Sequence, residues 1–231
     1  MSTISGCSDL EIDLADRRTG KVRVSYALPG HSRLFLTTDR LSAFDQIVAV
    51  VPFKGQVLNE LSAWWFENSR HIVNNHFISC PDPNATIGHA ATPLAVEVVV
   101  RGVITGTTST SLWHQYRTGA RTIYGYEFPD GLRKNTVLPS AIVTPTTKGE
   151  TGEHDEPLTC ADVVTRGIVD RDVWNTVQNA ALALFAILTQ IVGVMAGMSE
   201  RGTLSIAMPQ RLFFCSSVIG ICRSFLTGAT S

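Results

Sequence analysis

An α+β fold is predicted by three features of the sequence. Short strand-like runs fill the first fifty residues, Ala95–Ile104 contains the β-branched run VEVVVRGVI, and helix signals follow at 57–71 and after Thr159. Taken in chain order, Lys21–Leu28 alternates like a half-buried strand, and Leu34–Thr37 and Ile47–Val51 are apolar runs bounded by turns. Val57–His71 has helical spacing, with Leu58, Leu61, Trp65 and Ile72 on one face, and the Trp64–Trp65 pair is expected in the core. Pro81–Thr92 is polar and proline-containing and reads as a loop. Ser111–Tyr116 suits a short helix stopped near Gly119, and Pro129-Asp130-Gly131 marks a turn. Thr144–Glu156 reads as a polar loop dense in titratable groups. Thr159-Cys160-Ala161-Asp162 has capping-box spacing and opens a helix, and another helix starts near Asp170.

The bulk properties suit a globular protein. The chain has 231 residues, a net charge of −1 and 44% apolar residues, enough for one large domain or two small ones sharing a cleft. No basic run interleaves with aromatics, which argues against nucleic acid as a partner. The five cysteines are scattered and form no CxxC pair, so a reducing, cytoplasmic setting is expected rather than a disulfide framework or zinc site. The N-terminal stretch lacks an apolar core and carries Asp9, Glu11, Asp13 and Asp16, unlike a signal or transit peptide. No charged side chain occurs from Val173 to Ser199. Ala180–Met198 is long enough to raise a membrane helix, but Thr189, Gln190 and the glycines weaken that reading in favour of a buried or non-native segment.

The candidate chemistry lies in four polar clusters, and no P-loop, G-x-S-x-G or H-E-x-x-H occurs. Gly20-Lys21-Val22-Arg23 places two cations on alternate strand positions, a face able to hold a polyphosphate. Thr38–Asp45 (TDRLSAFD) with Pro52–Gly55 (PFKG) is a compact set of hydroxyls, acids and bases that suits a substrate-binding turn or a salt-bridged loop. Glu97, Val99 and Arg101 share one face of a strand that ends in Gly106-Thr107. An arginine, a hydroxyl and a glycine turn suit a phosphate-monoester clamp, although a paired structural arginine has the same spacing. Thr144–Lys148 and Gly152–Glu156 combine a lysine for phosphoryl oxygens with a His and acids able to orient a nucleophile.

In this order and spacing, GKVR, TDRLSAFD, PFKGQVLNELSAWWF, PLAVEVVVRGVITGTTSTSLW, LPSAIVTPTTK and GEHDEPLT closely resemble the phosphoribosylaminoimidazole-succinocarboxamide synthases, the SAICAR synthetases of purine biosynthesis. The resemblance covers about residues 18–186 and is strongest to plant-type and related longer forms. It implies a two-lobed α+β fold related to ATP-grasp enzymes and kinases. It also implies ATP- and Mg²⁺-dependent ligation of L-aspartate to carboxyaminoimidazole ribonucleotide through an acyl phosphate. By position, Lys21, Val22, Arg23 and Glu97 would serve ATP, and Pro93–Val96 would form the adenine hinge. Arg101, Thr107, Ser42 and Asp45 would serve the substrate, and Lys148 and Asp155 the chemistry. The implied organisation is a β-rich nucleotide lobe over 1–95, part of a substrate and ATP lobe over 96–186, and a tail over 187–231 that does not match the family.

Val24, Thr107 and Gly149 stand where the family usually has Asp, Ser and Ala. The larger departure begins near Ala186. The family continues with D-x-K-x-E-F-G, an Asp-Glu pair and P-D-x-S-R, whereas here the only acid after Asp172 is Glu200. The family's metal carboxylates are therefore not found in this sequence, and the expected C-terminal lobe is incomplete, with a sheet edge left unpaired. The readings that follow are an active synthase, a catalytically inactive truncated or frame-shifted remnant that at most binds nucleotide, and a membrane-attached binding protein.

Overall fold

The computed structural model describes Cys7 and residues 12–43, 46–147, 156–199 and 212–214. The chain forms two compact units that divide between Thr92 and Pro93.

The first unit is built on an antiparallel sheet. Its strands are β1 (Arg18–Thr19), β2 (Arg23–Leu28), β3 (Ser32–Thr37), β6 (Phe77–Asp82) and β7 (Ala85–His89), in the order β1-β2-β3-β7-β6. Strands β4 (Arg40–Ala43) and β5 (Gln46–Val50) form a separate hairpin, and helix α1 spans Lys54–Asn68. Val24, Tyr26, Leu36 and Ala85 bury one face of the sheet. The segment read as a loop over 81–92 instead contains β7, paired with β3 on one side and β6 on the other. Pro81 is tolerated because β6 is the edge strand, where a missing N–H breaks no ladder.

Helix α1 reverses the expected face. Its buried residues are Gly55, Asn59, Ala63 and Phe66, whereas Leu58, Leu61 and Trp64 are exposed. The inward face is chosen by close approach. A Cβ on Gly55 would stand 2.4 Å from the Thr37 carbonyl oxygen and 2.6 Å from Asn84 Nδ2. Buried Asn59 is satisfied there by the hydroxyls of Thr37 at 3.3 Å and Thr86 at 2.9 Å. Trp64 therefore does not lie in the core; its ring meets Trp65 edge-on, with centroids 4.9 Å apart.

The second unit is organised around β8 (Val96–Ile104), buried at most positions as expected for VEVVVRGVI. Strand β11 (Thr136–Val143) and its continuation β12 (Thr146–Thr147) run antiparallel along it. Pro139 lies in β11 where the register shifts between Val137 and Ile142, the kind of irregularity that accommodates proline. Strand β13 (Leu212–Phe214) also pairs antiparallel with β8, opposite Val98–Val100, so the bare edge expected from the divergent tail is not found there. Three residues of backbone pairing satisfy that stretch of ladder.

Helix α2 (Leu112–Arg117) and the hairpin of β9 (Thr122–Ile123) with β10 (Tyr126–Glu127) enclose a core of Ile104, Leu112, Tyr116, Ile123, Tyr124, Phe128 and Ile142. Helix α3 (Cys160–Thr165) opens with the predicted capping box. Thr159 Oγ1 accepts from the Asp162 amide at 3.0 Å, and the Asp162 carboxylate accepts from the Thr159 amide at 2.9 Å. The Thr159 hydroxyl, donating to the Asp162 carboxylate at 2.7 Å, and then the Thr159 amide hold the Asp162 carboxyl below its ordinary range. Helix α4 (Arg171–Ser199) buries Trp174, Val177, Ala181 and Leu184, one stripe at helical spacing. Phe185 packs on Gly102, where a Cβ would meet its ring at 3.0 Å. Among the described residues, no helix is long and apolar enough to cross a membrane.

Candidate functional site

In the first unit, the Gly20–Arg23 cluster is a tight hairpin turn rather than a strand. The Gly20 amide donates to the Arg23 carbonyl at 2.8 Å, and β2 begins only at Arg23. Lys21 is exposed at that turn, and Val22 and Arg23 are half-buried. The turn is held from below by Thr38-Asp39-Arg40, all buried. The Val22 carbonyl accepts from the Thr38 amide at 3.0 Å and from its hydroxyl at 2.9 Å. Arg40 donates to the Gly20 carbonyl at 3.1 Å and to the Thr38 hydroxyl at 3.0 Å. Both carbonyls flanking Lys21 are thereby fixed, so the lysine projects from a rigid frame.

Asp39 serves the same frame from the other side. One carboxylate oxygen accepts from the Gly55 amide at 2.7 Å and the other from the Cys7 amide at 2.7 Å. The first contact stabilises the N-terminus of α1, whose residue Phe53 takes a left-handed φ of 66° and supplies no side-chain cap. Lys54 Nζ donates to the Arg40 carbonyl at 3.1 Å. The TDR and FKG motifs thus bind each other. Ser42 lies half-buried on the β4–β5 hairpin opposite Ile47. Asp45 lies outside the described residues.

In the second unit, Arg101 is 5% exposed. Its Nε donates to Thr144 Oγ1 at 2.8 Å, and its guanidinium lies 5.9 Å from the centre of the Tyr124 ring. Thr144 is locked by its amide and hydroxyl to the Val99 carbonyl, at 2.8 and 3.2 Å. The arginine is therefore oriented across the strand pair, on the same face as Val99. Glu97 is half-buried, opposite Thr146. Lys148 and Asp155 lie outside the described residues.

Thr107 is exposed at the end of β8, beside a small pocket of about 60 Å³ lined by Gly106, Thr107, Trp113, His114, Arg117 and Lys134. Arg101 does not line this pocket, so the arginine and hydroxyl grouped in the sequence do not share it. His114, Arg117 and Lys134 were not singled out by sequence. The available signal was Lys134-Asn135 after a Pro-Asp-Gly turn, with Asn135 adopting a positive φ of 70°. Among the described residues no group of three His, Cys, Asp or Glu side chains could hold a metal ion. The carboxylate of Asp39 is already committed to backbone amides. These described residues do not fit a magnesium site.

Comparison with known proteins gives a consistent picture. The family described as SAICAR synthetase matches residues 16–195, nine residues further than the recognisable motifs. The phosphoribosylaminoimidazole-succinocarboxamide synthase of Legionella pneumophila is 47% identical over 178 residues, covering 77% of this chain and 56% of the relative. The chloroplastic enzyme of Vigna aconitifolia is 46% identical over 178 residues, covering 77% of this chain and 51% of its own length. The SAICAR synthase of Saccharomyces cerevisiae, solved with SAICAR bound, superposes with a TM-score of 0.67 at 28% identity, over 80% of this chain and 65% of that one. The chain spans about half the length of the curated relatives it matches.

Proposed function

The chain belongs to the SAICAR synthetase family, and from that premise we propose that it carries the nucleotide- and ribonucleotide-binding part of an ATP-dependent ligase. The reaction joins the amine of L-aspartate to the carboxylate of carboxyaminoimidazole ribonucleotide, releasing ADP and phosphate. The observation that carries this reading is the family match across both units, together with the likeness to a synthase solved with SAICAR bound.

The residue roles are those the resemblance implies, with support from local geometry for Lys21, Arg23 and Arg101. Lys21, on its braced turn, faces polyphosphate, with Val22 and Arg23 alongside. A cation held by a fixed backbone loses little freedom on binding, which favours a charge-assisted contact. Arg101, its Nε tied to Thr144, serves an anionic oxygen of the substrate. Thr107 offers a hydroxyl to the substrate, and Glu97 faces the nucleotide. Ser42 and Asp45 complete the substrate set. Lys148 neutralises transferring oxygens and Asp155 orients the attacking amine. Mg²⁺ would offset charge on the polyphosphate when bound, and the described residues offer no ligand set for it. A cytoplasmic setting accords with the scattered cysteines.

The test is direct binding. Calorimetric titration of the chain with ATP and with carboxyaminoimidazole ribonucleotide is expected to give saturable binding of each. Absence of both would overturn the assignment.

A further inference from the structure

The hairpin of β4 and β5 lies outside the five-stranded sheet, and among the described residues β5 pairs only with β4. A two-stranded hairpin by itself is at best marginally stable in water. Every residue of β5 is exposed, and successive side chains of a strand point to opposite faces, so both faces are open. Ile47, Val48, Val50 and Val51 are between 42% and 56% exposed. The apolar surface continues past the turn into α1, where Val57, Leu61 and Trp64 form an exposed stripe at helical spacing. Single exposed apolar residues need no explanation, but a run of them on a strand with a free edge marks an association surface.

Two features of the run fit a second copy of this chain. First, residues 46–53 (QIVAVVPF) carry no charge. In a two-fold contact the same patch meets itself, so a charge near the axis would face its own like. Second, the run reads nearly the same in both directions about Ala49, with Val48 answering Val50 and Ile47 answering Val51. Antiparallel copies crossing at Ala49 therefore set valine against valine and isoleucine against valine, with the smallest side chain at the axis. A register shift makes Val48 an extra residue on β5 and disturbs the hydrogen-bonding edge there, so side chains rather than a continuous ladder carry the contact. A stable interface takes about 800 Å² from each partner; β5 alone is too small for that, and the α1 stripe enlarges the face.

We propose that β5, flanked by the outer stripe of α1, is a two-fold contact between two copies of this chain, with its axis at Ala49. Neither element holds a residue assigned to ATP, substrate or the chemistry, and the contact is independent of the ligase reading.

The experiment is analytical ultracentrifugation of the full chain over a dilution series. It is repeated for the double variants V48K/V50K and V48K/V50E, and for V137K as an exposed valine of the second unit. All three valines are exposed, and circular dichroism checks that each variant folds. The unaltered chain is expected to sediment as a dimer that dissociates on dilution, V48K/V50K as a monomer, and V137K like the unaltered chain. V48K/V50E should remain a dimer, because about an axis at Ala49 each introduced ammonium faces the partner's introduced carboxylate. A monomer at every concentration, a V48K/V50K dimer, a V48K/V50E monomer or an equal loss in V137K would overturn the proposal. Open-ended assembly would also overturn it, since a closed two-fold contact stops at two copies. A monomer that instead binds the isolated C-terminal segment of a longer relative would give the face to that segment. None of these readouts involves nucleotide binding or turnover, so failure of the ligase reading leaves them unchanged.

Discussion

The carboxylate of Asp39 accepts a hydrogen bond from the Gly55 amide at 2.7 Å, joining the link between β3 and β4 to the first turn of α1. The contact exists because Gly55 has no Cβ and lets the helix come down onto Thr37. Asp39→Asn keeps the shape but replaces one acceptor oxygen by a donor, facing either the Gly55 or the Cys7 amide. A loss of about 1.5–3 kcal/mol in unfolding free energy is expected, and urea denaturation measures it. Gly55→Ala should lose about 1–3 kcal/mol, because the nearest atom in the way, the Thr37 carbonyl oxygen, is backbone and cannot swing aside. Wild-type stability in both variants would show that the motif pair is not a brace.

Stability should fall on the acid side because of His76. The residue is buried, its ring edge-on to Phe35 and Phe66, and Nδ1 has no hydrogen-bond partner. Burial, with the nearby Arg23 charge, lowers its pKa from 6.5 to about 4. Above pH 6.5 both folded and unfolded chains are neutral at this position and the contribution is complete. From pH 6.5 down to about 4 only the unfolded chain takes the proton. Stability should then decline by up to about 3 kcal/mol. His76→Phe keeps an aromatic ring there and should flatten that slope; a superimposable pH profile would assign the acid loss elsewhere.

Much of the fold was legible, and the failures have particular causes. VEVVVRGVI and the Thr159 capping box are local signals whose energetics are local, and both form where expected. Strand β7 was not legible, because its ladder comes from β3 and β6 rather than from its own polar composition. The face of α1 was misjudged because periodicity assigns large apolar residues inward, whereas backbone approach at Gly55 demanded small ones. At the candidate site, the motifs do not show which side chains are spent on the protein itself. Thr38, Asp39 and Arg40 hold backbone, while Arg117 and Lys134 lie in no recognisable motif.

Lys21→Ala should weaken ATP binding by about 1–3 kcal/mol, the range for a charge-assisted contact. Arg40→Lys should weaken it through the turn, since an ammonium cannot bond the Gly20 carbonyl and the Thr38 hydroxyl with the same geometry. Nucleotide titration of both variants is the measurement. Unchanged affinity in Lys21→Ala would remove that residue from the phosphate face.

Arg101→Lys should reduce ribonucleotide affinity about tenfold despite the conserved charge. Thr144→Val should produce part of that loss, because the hydroxyl that receives Arg101 Nε disappears while the arginine remains. Titration with the ribonucleotide reads both. Equal affinity in Arg101→Lys would leave Arg101 as a structural residue held by Thr144 and Tyr124.

The account is tested most directly by product formation from ATP, L-aspartate and carboxyaminoimidazole ribonucleotide. The chain is compared with a chimera that joins residues 1–185 to a family C-terminal segment containing D-x-K-x-E-F-G. The chimera should form SAICAR, and the chain should turn over at least about 100-fold more slowly, since each 1.36 kcal/mol of lost electrostatic stabilisation is about tenfold in rate. Comparable turnover by the chain itself would contradict the need for that segment, and no SAICAR from either protein would contradict the proposed reaction.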